Sequence, residues 1–515
     1  MHKSTTTVLN QILLKPSFCR QISTEFFNQP LNFVNGVRKT PTSQNSDEDF
    51  KVFNPAKGEV ICETVSSGVK DVDSAVQAAK DAFPEWSRLS GFERGKILMS
   101  VANRVKERGE ELAELEVYNN GKPIWEARVD VQSVIDGLEY NSGLAPTISG
   151  QQIQLSGGSF AYTRQEPLGV CVGIGAWNFP VQIAGWKSAP ALACGNTMVY
   201  KPSQFTPLSA ILLAEIYKEG GIPDGVFNVL QGQAETGSLL TSHPDVAKVS
   251  FTGSVPTGQK IMESCAKDIK KITLELGGKS PLIIFADCNL ENAVKGAMMA
   301  NFMTQGEVCS NGTRVFVERS IKDKFVEKLL AKTKQMKIGN PMHEDTMVGA
   351  MINKQHMEKV MRYIEGAKQQ GAKILCGGER IIPTDTSLSN GYFLSPCIMD
   401  NCTDDMTVVK EEIFGAAMAV LTFDTEDEVV RRANDTKFGL AGGVFTSDLT
   451  RGHRVVANIQ SGTCFINNYN LYPIEMPFGG YKQSGLGREL GRSAIDSYTQ
   501  TKMVYVEMGD VDCPY

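Results

Sequence analysis

No apolar run in this 515-residue chain approaches the roughly 18 residues that a membrane-spanning helix requires, so no membrane span is expected. Histidines number only five, and the twelve cysteines include neither a CxxC pair nor a histidine-flanked cluster. Metal sites need ligands at short fixed spacing, so no metal is expected. Cysteines scattered through so long a chain also exclude a small disulfide scaffold and point to a reducing compartment. There is no excess of basic charge. The formal net charge of -6 lacks the basic footprint that a nucleic-acid partner leaves. Internal repeats and low-complexity segments are missing too.

What remains is the composition of a soluble globular enzyme, 42% hydrophobic and 21% charged. Its length calls for two or more domains. The leading segment is different. No acid occurs before Glu25, whereas Lys3, Lys15 and Arg20 are basic, and Leu9, Ile12, Leu13 and Leu14 can line one helical face. That composition predicts a mitochondrial transit peptide over residues 1–24; the alternative is a disordered tail on a cytoplasmic protein.

Downstream, residues 71–82 and 91–114 space their apolar side chains as helices do. Short apolar runs recur at 169–175, 197–200, 227–230 and 248–251, with helical stretches such as 208–219 between them. This alternation predicts the α/β class, with a parallel sheet that binds ligands at the carboxyl ends of its strands. The chain changes character at 273–287, where Leu274-Glu-Leu-Gly-Gly278 leads into another strand at 282–285, and a domain boundary is expected there. Residues 153–164 and 504–508 read as edge strands suited to sheet extension between subunits.

The fingerprint GxGxxG is missing, because Gly173-Ile-Gly175 runs on into Ala176-Trp177-Asn178. In its place Phe251-Thr-Gly253-Ser-Val-Pro-Thr-Gly258 joins a strand to a helix, where backbone N–H groups and the helix dipole favour a phosphate. It is not a P-loop, since Gln259 stands where the phosphate-binding lysine belongs. Lys201-Pro202-Ser203 ends another strand, where a lysine can reach ribose hydroxyls. Cys309 lies in a polar, glycine-punctuated stretch from Gln305 to Arg314, and a thiolate there is a strong nucleophile toward a carbonyl carbon. Glu275 is flanked by leucines, and burial would raise its pKa and suit it to general-base work. Asn178 closes the first strand of the series, and its amide can donate to a developing oxyanion. Taken singly, each has a plainer reading: an inert core thiol, a solvated turn carboxylate, a turn asparagine.

Together they form a series. In order, Trp177-Asn178, Lys201-Pro-Ser203, Phe251-Thr-Gly-Ser254, Glu275-Leu-Gly-Gly278, Cys309, Glu411-Glu-Ile-Phe414 and Pro477-Phe-Gly-Gly-Tyr-Lys482 resemble the motifs of the aldehyde dehydrogenase superfamily. The resemblance runs from about Pro30 to the C-terminus. It implies a Rossmann-like parallel-sheet cofactor domain (30–144 and 166–278), an α/β catalytic domain (279–483) and a small strand-exchange oligomerisation element (145–165 and 497–515). The implied assembly is a homodimer or homotetramer. The implied reaction is NAD(P)-dependent oxidation of an aldehyde to a carboxylic acid. Cys309 is then the nucleophile, Asn178 with the Cys309 N–H the oxyanion hole, and Glu275 the base for the deacylating water.

Implied cofactor contacts are Trp177, Lys201, Ser203, Gln204, Gly253, Ser254, Gly258 and Gly277, with Glu412 and Phe414 at the nicotinamide-side ribose. Many NAD-preferring relatives carry a glutamate where this chain has Gln204, so NADP is admitted beside NAD. Within the family the chain is most similar to the branch acting on quaternary-ammonium aldehydes, such as the carnitine precursor 4-trimethylaminobutyraldehyde and betaine aldehyde. A small cationic substrate calls for aromatic faces and nearby acids. Phe179, Trp186, Tyr472 and Phe478 would supply the first, Glu139 and Glu475 the second. Alternatives are a broad-specificity aldehyde scavenger, a CoA-acylating enzyme and a non-enzymatic structural protein. Retention of Glu275 argues against the CoA-acylating enzyme, and retention of Glu275, Cys309 and Asn178 against the structural protein.

Overall fold

The computed structural model describes residues 24–27, 29, 31–42 and 49–515. The expected transit segment therefore lies outside the described residues, except for Thr24. Two mainly parallel sheets organise the rest. The first runs in the order Val37–Lys39, Asn32–Val34, Phe227–Val229, Thr197–Lys201, Val170–Ile174, Val246–Thr252, Lys271–Glu275, Gly485–Leu486. Its five central strands are parallel, and numbered along the chain they lie in the doubly wound order 3-2-1-4-5. Strand order reverses between Val170–Ile174 and Val246–Thr252, and such a switch point opens a crevice at the carboxyl ends.

The residues explain the strands. Val170–Ile174 and Thr197–Lys201 are buried throughout, as parallel strands covered on both faces must be. Their side chains alternate between two cores. Cys171, Met198 and Tyr200 join Val134, Leu192 and Leu213 on one side. Val170, Val172, Ile174 and Val199 join Val76, Leu240 and Ile261 on the other. Each fully buried aliphatic side chain contributes about 1.5–3 kcal/mol, and a one-residue slip would send every one to the wrong face.

The second sheet runs Lys373–Cys376, Cys397–Asp400, Ala417–Phe423, Arg314–Glu318, Pro281–Ile284, Ala441–Phe445, Thr463–Ile466, parallel except for its first strand. It shows the same alternation: Leu282, Ile284, Val315 and Val317 face one core, Ile283 and Phe316 the other. The chain then returns to the first sheet. Gly485–Leu486 pairs antiparallel with Leu274 and Glu275, which brings the segment after Phe478 against the end of that strand.

One expectation is corrected. The helix expected over 91–114 is two helices, Gly91–Glu107 and Gly109–Asn120, broken at Arg108. The first is started by Ser90 and Glu93 in a capping box, and the second is ended by Gly121 at φ 91°. The two edge strands pair with each other within one chain. Thr499–Val506 lies antiparallel to Phe160–Pro167, which in turn pairs with Gln152–Gln154, leaving Ile153, Met503 and Tyr505 exposed. Among the described residues no helix is long and apolar enough to cross a membrane.

Candidate active site

The carboxyl ends of the first sheet supply one wall of a cleft. Beyond Ile174, Trp177, Asn178 and Phe179 lead into helix Pro180–Ala193, whose first residue is a proline that gives up an N–H unused at that position. Beyond Thr252, helix Val255–Ala266 starts at Ser254, whose Oγ accepts from the Thr257 N–H at 3.4 Å. The helix then packs closely on Leu276: a Cβ on Gly258 would lie 2.8 Å from that side chain. Lys201 donates its ammonium protons to the Pro202 and Gly232 carbonyls at 2.9 and 2.6 Å, and burial lowers its pKa to about 8. Ser203 and Gln204 follow, half-buried, and Gly253 connects strand to helix. Uncommitted N–H groups at the helix start fit the phosphates of a dinucleotide, and Lys201 stands at the carboxyl end of the same sheet, where ribose hydroxyls would lie.

The opposite wall comes from the second domain. Glu412 accepts the Gly278 N–H at 3.2 Å, and its other oxygen comes so near Gly277 that a Cβ there would lie 2.1 Å away. Gly277 is thus required by the approach of a carboxylate, and burial raises Glu412 to about 7. Phe414 holds φ 63°, a left-handed conformation uncommon for a bulky residue. Its ring meets Trp177 edge-on at 5.1 Å, and its carbonyl accepts from His356 Nε2 at 2.7 Å. That bond puts the proton on Nε2. Burial lowers the His356 pKa to about 4, so the ring is neutral.

Cys309 stands between the walls. The loop before it passes through Thr304, Gln305 and Gly306 at φ 48°, 53° and 77°. Any Cβ on Gly306 would lie 2.1 Å from the Ala416 nitrogen. Asn178 Nδ2 donates to the Glu307 carbonyl at 2.8 Å, which leaves its second N–H for a substrate oxygen. The residue keeps partial access to solvent, while the protein around its sulfur pushes the thiol up to about 12. Burial is the main cause, and the charges of Glu412 and Glu275 add to it. At rest the thiol is neutral.

Glu275 ends its strand 3% exposed, and neither carboxyl oxygen has a hydrogen-bond partner within the protein. Burial, reinforced by Glu489, raises its pKa well above the ordinary value, against the pull of Lys187 and Arg488. Lys187 Nζ donates to Glu489 at 2.5 Å and to Ser250 Oγ at 3.0 Å, while Ser250 donates to Glu489 at 2.8 Å. Neither Lys187 nor Glu489 is among the residues singled out from sequence. Lys187 carried a signal: it is the single charge in the apolar helix Pro180–Ala193.

The residues expected around the substrate divide. Trp186 and Phe478 form a buried cluster with Leu440 and Leu490, against which Cys309, Tyr472 and Ile474 pack. The Trp186–Phe478 and Tyr472–Phe478 rings meet edge-on at 5.7 and 5.0 Å. Phe179 lies outside this cluster, its ring lying under the Lys122 ammonium at 4.3 Å. Glu139 pairs with Lys106, and Glu475 is exposed after Ile474. Both acids act on a third, Asp136, that sequence had not singled out. Burial and then the charges of Glu139 and Glu475 raise the Asp136 pKa, against a hydrogen bond from Gln132. Asp136 is on the same helix as Ser133, which accepts from Trp186 Nε1 at 2.9 Å.

A dinucleotide crevice that ends on a thiol, with an amide and a buried carboxyl beside it, defines a cysteine-dependent dehydrogenase. The model of the Aldehyde dehydrogenase family matches residues 42–504, and the chain belongs to that family. It is 62% identical over 484 residues to 4-trimethylaminobutyraldehyde dehydrogenase A of Danio rerio, covering 94% of this chain and 95% of that one. It is 61% identical over 488 residues to the human 4-trimethylaminobutyraldehyde dehydrogenase, covering 95% and 98%. Among solved structures, the NAD+ complex of a Staphylococcus aureus betaine aldehyde dehydrogenase superposes with a TM-score of 0.91 at 36% identity, covering 96% of this chain and 99% of that one. The NAD+ complex of a Bacillus cereus aldehyde dehydrogenase gives 0.91 at 40%, with the same coverage.

A base must be ionised to work, so a carboxyl with a raised pKa loses activity as pH falls through that value. Lys187→Met removes a cation that holds the Glu275 pKa down. The acid limb of the kcat–pH profile is expected to move to higher pH by about one unit or more. An unmoved limb would separate it from Glu275.

Proposed function

We propose that the chain oxidises 4-trimethylaminobutyraldehyde to the corresponding acid with NAD, supplying a precursor of carnitine. Its relatives of that name are about as long as this chain and 61–62% identical to it. The observation that carries the reading is the Trp186–Tyr472–Phe478 cluster packed beside Cys309, with Asp136, Glu139 and Glu475 grouped on and around the helix whose Ser133 accepts from Trp186. A quaternary ammonium group gains from aromatic faces and from negative potential, and has no proton to donate. Betaine aldehyde is the second reading, supported by the solved relative of that name.

The residues divide the chemistry among them. NAD, when bound, supplies the hydride acceptor; Lys201, Ser254, Gly258 and Glu412 are the groups that would hold it. The Cys309 sulfur adds to the aldehyde carbon, giving a thiohemiacetal. The second Asn178 N–H and the Cys309 N–H hold the oxygen as it gains charge, an interaction worth about 2.7–4 kcal/mol per donor in such sites. Loss of hydride leaves a thioester on Cys309. Glu275, ionised, takes a proton from water as that water attacks the acyl carbon, and the acid leaves with the thiol restored. The side chain of Gln204 is neutral and repels a 2′-phosphate less than a carboxylate would, so NADP is a weaker alternative cofactor. The exposed three-stranded sheet carrying Met503 and Tyr505 supports assembly as a homodimer or homotetramer. The composition of residues 1–24 supports a mitochondrial address.

Two measurements test this reading. Initial rates of NADH formation with 4-trimethylaminobutyraldehyde and with uncharged butyraldehyde should give a kcat/KM at least about tenfold higher for the cation. Equal values would make the protein a general aldehyde scavenger. Gln204→Glu should raise the ratio of kcat/KM for NAD over NADP, and an unchanged ratio would place the adenosine ribose elsewhere.

A further inference from the structure

Four carboxyls and one cation are buried beside the catalytic loop. Lys122, Glu116, Glu126, Asp130 and Glu307 are each no more than 1% exposed. Lys122 pairs with Asp130, and its charge also reaches Glu116, Glu126 and Glu307. No side chain of the five has a part in the thiol, amide and base chemistry above, although the Glu307 carbonyl holds the Asn178 amide.

One ammonium group cannot balance four buried carboxylates, because each uncompensated ion costs several kcal/mol. Hydrogen bonds decide which of them ionise, since bonds donated to a carboxylate favour its charged form. Glu116 and Glu307 each accept one backbone N–H, from Val181 at 3.2 Å and Ile352 at 3.1 Å, with the side chains of Ser209 and Gln305 also acting on them. Burial raises Glu116 and Glu126 alike to about 7; what sets Glu126 apart is where its hydrogen bonds come from. Both of its oxygens lie 3.0 Å from the Thr304 N–H, and one also accepts the Thr304 hydroxyl at 3.0 Å. Both Glu126 oxygens are therefore engaged, and both by one residue.

Thr304 opens the left-handed turn that leads to Cys309, at φ 48°. A β-branched residue is a genuine outlier in that region and stays there only when its surroundings hold it. We propose that Glu126 is a positioning residue for the nucleophile: its carboxylate clamps the N–H and hydroxyl of Thr304, and so fixes the turn that aims the Cys309 sulfur and N–H. Asp130 and Lys122 form the ion pair beside it, and Lys122 offsets the negative charge that Glu126 places in the interior. The proposal rests on Cys309 as the nucleophile.

Glu126→Gln tests it in the full-length protein with NAD. The amide is nearly the same size but turns one acceptor into a donor that opposes the Thr304 N–H. The readouts are the pre-steady-state burst of NADH, the rate at which iodoacetamide alkylates Cys309, and KM for NAD. Burst and alkylation rates should fall by about 10- to 100-fold, as misplacement of a reacting group by about 1 Å does, with KM for NAD unchanged. Glu126→Asp, which keeps the carboxylate, should recover part of both rates. Wild-type burst and alkylation rates in Glu126→Gln would overturn the proposal, as would a KM for NAD that rises in step with the lost rate. Should Glu126→Gln fail to fold, Thr304→Val removes only the hydroxyl donor, and several-fold slower alkylation is expected; an unchanged rate would overturn the clamp. A wild-type protein whose NADH formation survives complete alkylation of Cys309 would instead remove the nucleophile itself.

Discussion

Cys309 is presented by a backbone turn whose residues do not favour its conformation. Thr304 and Gln305 hold φ 48° and 53°, and across the cleft Phe414 holds 63°. Each such non-glycine residue costs on the order of 1–3 kcal/mol. Contacts from both domains offset that cost. From the cofactor side, Glu126 binds Thr304 and Asn178 binds the Glu307 carbonyl. From the catalytic side, Gln305 Oε1 accepts the Gly349 N–H at 3.2 Å, and Asn311 Nδ2 donates to the Gly306 carbonyl at 3.3 Å. The turn is therefore a joint between the two sheets. Any shift of one sheet against the other is felt at the sulfur.

Burial then sets the protonation states. The same removal from water raises Cys309 to about 12 and Glu412 to about 7, lifts Glu275 well above its ordinary value, and lowers Lys201 to about 8 and His356 to about 4. Each of these groups is pushed toward neutrality. The charge of Glu275 raises Cys309, so thiolate and carboxylate disfavour each other's ionisation, which suits a reaction that needs the thiolate for the first half and the carboxylate for the second. The Lys187–Glu489 pair near Glu275 adds one cation and one anion, which tune when the second ionisation occurs.

Much of this arrangement was legible in the sequence, for local reasons. Four strands of the first sheet read as short apolar runs because parallel strands bury both faces, and their ends fell within two residues of the structure, whereas Lys271–Glu275 reads from sequence as part of a junction. Cys309 stood out for its polar, glycine-punctuated setting, Glu275 as a charge between leucines, and Asn178 for closing a strand. Other features are set by tertiary contact alone. Glu126 meets Thr304 across 178 positions, and Lys187 meets Glu489 across 302, so no local pattern links them. The two-residue strand Gly485–Leu486 is too short to show a period. A sequence gives a ring but not its direction, and only the structure shows the Phe179 ring against Lys122. Asp136 has Glu139 one turn along its own helix, but only the fold brings Glu475 near it.

The central claim is that the acyl group rests on Cys309 until Glu275 activates water to remove it. The most direct measurement is the mass of the Cys309 peptide from Glu275→Gln protein quenched in acid after mixing with NAD and aldehyde. A stoichiometric acyl adduct on Cys309, formed alongside a single burst of NADH, is the predicted result. Steady turnover with an unmodified Cys309 would contradict the account.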